Sequence, residues 1–191
     1  MLVAGITERT KAIMGMRPNE TYDEWRRREF PSQYIWENYS YPDFGISDNQ
    51  LVCRLPIRIF NCNECKLIIH SLQISEVHKK TIDFILENQE SLVEDIRDHV
   101  FEYYKFLWND SLKDSKDEIR YPNPNTNSKD FIDNMIKPGA VYLSGKLNEG
   151  YFGICFRCSF EEEHGLGIRL RNYKVEEVGG EDVGFSLSAD M

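Results

Sequence analysis

Between Tyr151 and Phe160 the chain places Phe152, Ile154, Phe156, Cys158 and Phe160 at every second position. A period of two predicts a strand with one face in the core. Leu55, Ile57 and Ile59 alternate in the same way with Pro56 and Arg58, and Pro56 places that strand at an edge or a bend. A turn at Asn61-Cys62-Asn63 leads into Lys66–Leu72, so the two runs predict a hairpin. The period then changes. Ser75 is the cap of a first helix carrying Val77, Ile82, Ile85 and Leu86, and Asn88 interrupts it. Ser91 with Glu94 predicts a capping box for a second helix, whose apolar stripe is Leu92, Ile96, Val100, Tyr103 and Leu107.

Asp110 to Asn127 is charged and then carries Pro122-Asn123-Pro124-Asn125, the composition of a mobile surface loop. A short helix is expected after Ser128, using Phe131, Ile132, Met135 and Ile136 and stopping at Pro138-Gly139. Val141, Leu143 and Leu147 predict a strand, Asn148-Glu149-Gly150 a tight turn, and Ile168 to Val178 one long strand. Gly179 to Asp182 turns the chain, and Val183 to Leu187 is expected to close the sheet as a last strand. A hairpin, two or three central helices and a C-terminal antiparallel meander forming one sheet make an α+β fold, because strands and helices are segregated along the chain.

Residues 1–45 differ in character from the rest of the chain. They mix charges with Tyr22, Trp25, Phe30, Tyr34, Trp36 and Tyr39, and Thr21 with Glu24 marks a short helix there. The expected division is an aromatic-rich arm, 1–45, and a single α+β domain, 46–188. Trp25, Trp36 and Tyr39 are the candidate partner contacts, since Trp and Tyr dominate interface hot spots.

The composition, 41% hydrophobic and 13% aromatic, suffices for a packed core. Net charge is −9, which repels a phosphate backbone, and Arg26-Arg27-Arg28 is too short a basic run to offset that. No nucleic acid is therefore expected, whereas a basic protein partner is favoured. Leu2-Val3-Ala4-Gly5-Ile6 is too short for a signal-peptide core and no run reaches a membrane span, so the expectation is a cytoplasmic protein with no membrane partner. Five cysteines then read as thiols rather than as a disulfide framework.

Two clusters carry candidate chemistry. Cys62-x-x-Cys65 and Cys155-x-x-Cys158 together suggest four zinc ligands. The strand argues against it, because residues three apart on a strand point to opposite faces. Glu161, Glu163 and His164, with Asp182 brought near by strand pairing, offer oxygen and nitrogen ligands or an acid and a base. Gly165 and Gly167 equally allow a sharp structural turn with solvated glutamates and Leu166 plugged into the core. His70, His78 and His99 are scattered, and only Asp95 lies one helical turn from His99. No cofactor is expected and no catalytic residue is assigned.

The stretch Gln89 to Tyr104, with its terminal Tyr-Tyr, and the run Cys158-Ser159-Phe160-Glu161-Glu162-Glu163-His164-Gly165-Leu166-Gly167 resemble an uncharacterised bacterial family of domains of unknown function. The similarity covers roughly residues 46–188, and Phe160 stands where that pattern has Trp. The resemblance implies an intracellular protein, similar to immunity partners of contact-delivered toxins, and brings no catalytic residues. The first expectation is thus a non-enzymatic protein-binding domain, an immunity protein neutralising a basic toxin. The alternatives are a metal-dependent hydrolase built on Glu161, Glu163 and His164, and a zinc-stabilised structural domain.

Overall fold

The computed structural model describes residues 24, 45–47, 50–55, 57, 59–60, 62, 64–114, 120–144 and 148–187. Trp25, Trp36 and Tyr39, the Thr21 cap and Pro56 lie outside the described residues. The fold is α+β, built on one mixed sheet of seven strands whose spatial order equals their order in the chain. The strands are β1 (Gly45–Ser47), β2 (Gln50–Leu55), β3 (Cys65–Ile69), β4 (Ile136–Leu143), β5 (Phe152–Cys158), β6 (Leu166–Arg171) and β7 (Lys174–Gly179). The expected hairpin is β2 with β3, Leu55 facing Cys65, but β2 ends at Leu55, and Ile57 and Ile59, expected on the strand, are buried in the connection to β3. The expected meander runs from β4 to β7, antiparallel throughout. The two halves join through β3 and β4, the one parallel pair among the described strands, and the crossover between them carries the helices.

One face of the sheet holds the core. Leu67, Val141, Phe152, Ile154, Phe156, Ile168 and Leu170 point into it beneath helices α1 (Glu76–Glu87) and α2 (Gln89–Asp110). Helix α1 opens as the sequence predicts. Ser75 Oγ accepts the His78 amide at 3.2 Å, and His78 Nδ1 accepts the Ser75 amide at 3.2 Å. Because Nδ1 is an acceptor, Nε2 carries the proton and donates to the Ser144 carbonyl at 3.0 Å, so the same ring locks the end of β4 to α1. Helix α2 buries Leu92, Ile96, Val100, Tyr104 and Trp108. The stripe advances in steps of four, so Tyr103 and Leu107, expected inside, sit on its flank. The expected Ser91–Glu94 box is absent. The helix starts earlier, at Gln89, and Ser91 Oγ instead donates to the Asn88 carbonyl at 3.0 Å. Its N-terminal half is tied to β7 by Asp95, whose Oδ2 accepts the Val175 amide at 3.1 Å.

Four further expectations need correction. After a 3-10 turn at Lys129–Phe131, helix α3 is only Ile132–Met135, and Pro138-Gly139 does not stop it: both lie inside β4, where the register shifts between Pro138 and Ala140. A bulge is where a strand tolerates proline. The segment Pro122–Asn127 is anchored rather than loose: Tyr104 Oη donates to the Pro122 carbonyl at 2.9 Å, and the Thr126 and Asn127 amides reach the Asn123 carbonyl at 3.2 Å. Ile168–Val178 is not one strand but the hairpin of β6 and β7. Asn172 and Tyr173 turn the chain with φ of 51° and 64°. That pair of left-handed residues is the twist a two-residue hairpin needs, and the Tyr173 ring packs 4.0 Å from that of Phe84. Finally, Val183–Leu187 is not a strand: Glu181–Phe185 is a short helix, α4, lying on the sheet face opposite the core.

A candidate functional site at the acidic corner

Strand β5 ends in the core. Cys158 and Phe160 are buried, and the Phe160 ring meets that of Tyr104 edge-on at 5.2 Å. The chain then turns through Glu161–Gly165, closed by the Gly165 amide donating to the Glu161 carbonyl at 2.9 Å, with Gly165 at φ 64°. Leu166 is fully buried and starts β6, as expected of a plug. The turn is held from its other side: the Glu181 amide, at the start of α4, donates to the His164 carbonyl at 2.9 Å.

Helix α4 comes this close because the sheet beneath it has no side chains in the way. A methyl group on Gly153 would overlap the Gly184 carbonyl, and one on Gly167 would strike the Gly180 carbonyl and the Gly184 amide. Cys155 fills what remains, its Sγ donating to the Glu181 carbonyl at 3.4 Å. Glycines at facing positions are what allow backbone to lie on backbone.

The outcome is a pocket of about 420 Å³ lined by Glu161, Glu163 and His164 from the turn, Glu181, Asp182 and Phe185 from α4, and Tyr103 from α2. A neighbouring depression of about 400 Å³ shares Glu161, Glu163 and Glu181 and adds Arg157 and Glu162. Glu162 is held by Arg120 at 2.6 Å. Glu161, Glu163, Glu181 and Asp182 have no cation partner among the described residues. Their field is felt nearby. Burial raises the Tyr103 hydroxyl pKa, and the Glu161 charge raises it further. Burial pushes the Cys155 thiol up to about 12, with Glu181 adding to the effect, and the Cys158 thiol up to about 11. At neutral pH these are protonated thiols, poor nucleophiles and poor metal ligands.

The structure thus brings Glu161, Glu163, His164 and Asp182 to one pocket, together with Glu181, Phe185 and Tyr103, which the sequence reasoning missed. The missed signal is Gly179-Gly180 followed by Glu181-Asp182, a helix start with acids in its first turn. No group of three or more His, Cys, Asp or Glu among the described residues is placed to hold a metal ion. The four thiols of the zinc alternative do not converge: Cys158 belongs to the core, and Cys155 faces α4 on the other side of the sheet. Cys65 is buried beside Leu55, while the half-exposed Cys62 donates to the Glu64 carbonyl at 2.9 Å. Of the histidines, His78 is engaged at the α1 cap, and His99 Nδ1 lies 2.8 Å from the Asp95 carbonyl. Among the described residues no helix is long and apolar enough to cross a membrane.

A family model described as a domain of unknown function (DUF6985) matches residues 32–185. The chain belongs to the DUF6985 family. The DUF6985 match takes in strands β1 to β7, the Glu161–His164 turn and α4 as far as Phe185. It includes Trp36 and Tyr39 and leaves out Trp25. No curated protein and no solved structure matches the DUF6985 chain significantly.

Proposed function

We propose that this DUF6985 chain is a non-enzymatic, cytoplasmic protein-binding domain that receives a basic partner, as an immunity protein receives a basic toxin. The observation that carries it is the corner itself. Four carboxylates without cation partners among the described residues converge beside Phe185, which is 41% exposed. A cationic side chain entering there would meet opposite charge on several sides and an aromatic surface to cover. The net charge of −9 would also speed the encounter with a basic protein. Affinity capture from the native cell, comparing the wild type with Glu161→Lys/Asp182→Lys, tests this. The expected outcome is one basic protein, encoded near this chain's gene, retained at low salt, released at high salt and missed by the variant. Capture that ignores both salt and the substitutions overturns the proposal.

A metal-dependent hydrolase is the second reading: Glu161, Glu163, His164 and Asp182 share a pocket, although no three of them are placed to grip an ion without moving. Elemental analysis of protein purified without chelator separates the two. A stoichiometric divalent ion lost in Glu163→Gln would support the hydrolase; metal-free protein that still binds its partner would eliminate it.

A further inference from the structure

The sheet face that carries α4 is divided by charge. Sheet register places Arg54 opposite Lys66 and Lys137 opposite Arg157, and Lys66 lies beside Ala140. Their neighbours along each strand, Leu55, Leu67, Ile136 and Phe156, point into the core, so the four cations share the other face. All four are exposed. They span four strands, about 14 Å at the usual strand spacing. Arg54 has one exposed contact, Glu64 at 3.6 Å, while Lys66, Lys137 and Arg157 enter no ion pair among the described residues.

The other half of the same face is anionic. It consists of α4, with Glu181 and Asp182 in its first turn, and the turn bearing Glu161 and Glu163. The halves adjoin, because Arg157 lines the same depression as Glu161 and Glu163. Phe185 rises at the boundary with its ring 6.2 Å from that of Tyr142, which is itself on this face.

We propose that this face is the contact surface of a two-fold symmetric homodimer, in which the cationic half of each copy covers the anionic half of the other. A patch with opposite charges side by side is its own complement under a two-fold rotation whose axis passes between them. That favours a second copy, which matches both halves at once, over a uniformly acidic protein, which matches only the cationic half. It also favours it over a basic protein at the cationic half. Phe185 and Tyr142 supply apolar area near the axis. The inference goes beyond the basic-partner proposal, with which it shares the anionic half: partner and second copy compete, so a cationic-half variant unable to dimerise would bind a basic partner more tightly than the wild type.

Sedimentation equilibrium on the full chain is the test. In about 0.1 M NaCl, where charges act over about 10 Å so that facing pairs attract while the net repulsion between copies is screened, the wild type is expected at twice its 22.5 kDa mass; in about 1 M, where they act over about 3 Å, as a monomer. Lys137→Glu/Arg157→Glu and Glu163→Lys/Glu181→Lys are each expected to be monomeric at the lower salt. Their equimolar mixture is expected to regain the dimer, since the reversed half of each variant then faces the reversed half of the other and the two intact halves face each other. A wild type that stays monomeric at the lower salt, a single variant that still dimerises, or a mixture of folded variants that does not associate overturns the proposal. Circular dichroism reports whether each variant is folded; if the first unfolds, Arg54→Glu/Lys66→Glu replaces it. Loss of the dimer with retained partner capture, or the reverse, shows which of the two proposals has failed.

Discussion

A single missing side chain at Gly153 and another at Gly167 decide where α4 can lie, and a single thiol, Cys155, closes the gap they leave. That burial has a consequence at high pH. An unfolded cysteine gives up its proton near the ordinary value of 9.0, while burial holds the thiols of Cys53, Cys65 and Cys155 to about 12 and that of Cys158 to about 11. Tyr104 moves in the same direction, from 10.0 to about 12, again through burial. Below pH 9 these thiols are neutral in both states, and the folded chain loses nothing by keeping them so. Above it the unfolded chain gains by ionising and the folded chain does not, so stability falls as pH rises toward 12. The urea midpoint is therefore expected to be lower at about pH 10.5 than at about pH 8. A thiol reagent at pH 8 should label Cys62, the half-exposed one, well before the four buried cysteines. Equal labelling of all five, or a midpoint that does not move, would show that the buried thiols are not sealed.

Among the elements, α1 is the best-defined junction, because Ser75 and His78 satisfy each other's amides while His78 also reaches the Ser144 carbonyl. Ser75→Ala removes one side of that box and is expected to cost about 1 kcal/mol. His78→Ala should cost more, since it opens a cavity and removes both the cap contact and the hydrogen bond that His78 gives the Ser144 carbonyl. Chemical denaturation of the two variants checks the order. This cap was legible in the sequence because it is local, with Ser75 immediately ahead of a helical period. The β5 strand was legible for a related reason: Phe152 to Phe160 obey a period of two on one buried face. What escaped depends on distant partners. Val183 to Leu187 read as a strand because nothing local reveals that Gly153 and Gly167, on other strands, would let a helix settle on them. The β6–β7 turn escaped because Asn172-Tyr173 lacks the usual glycine, and the ring that Tyr173 packs against belongs to Phe84, on α1. At the corner, Glu161, Glu163, His164 and Asp182 were found by residue type, whereas Glu181, Phe185 and Tyr103 needed the helix positions.

For the molecule as a whole, charge acts at two ranges that salt should separate. The net charge of −9 is a long-range self-repulsion that opposes the compact state. Against it stand local pairs. Arg97 is only 11% exposed and bonds Asp133 at 2.7 Å, so salt will weaken it little. Exposed pairs such as Lys80–Glu149 at 3.3 Å and Lys105–Glu102 at 2.7 Å contribute about 0–1 kcal/mol each and are screened readily. Screening thus removes weak attractions along with a repulsion summed over every excess carboxylate, and the repulsion is the larger loss. A dilute, monomeric sample is therefore expected to melt at a higher temperature as NaCl rises from about 0.01 to about 0.2 M. From about 0.2 to about 1 M the proposed dimer should weaken, because its contacts are attractive and exposed. The opposed directions matter, since a nonspecific salt effect on folding would move both quantities together. Melting followed by circular dichroism on the dilute wild type and on Lys137→Glu/Arg157→Glu, which raises the net negative charge by four, makes the comparison sharp. The variant should start lower and gain more from salt. If salt instead lowers the melting temperature of both, the exposed pairs outweigh the anionic shell, and the repulsive balance drawn for this surface is wrong.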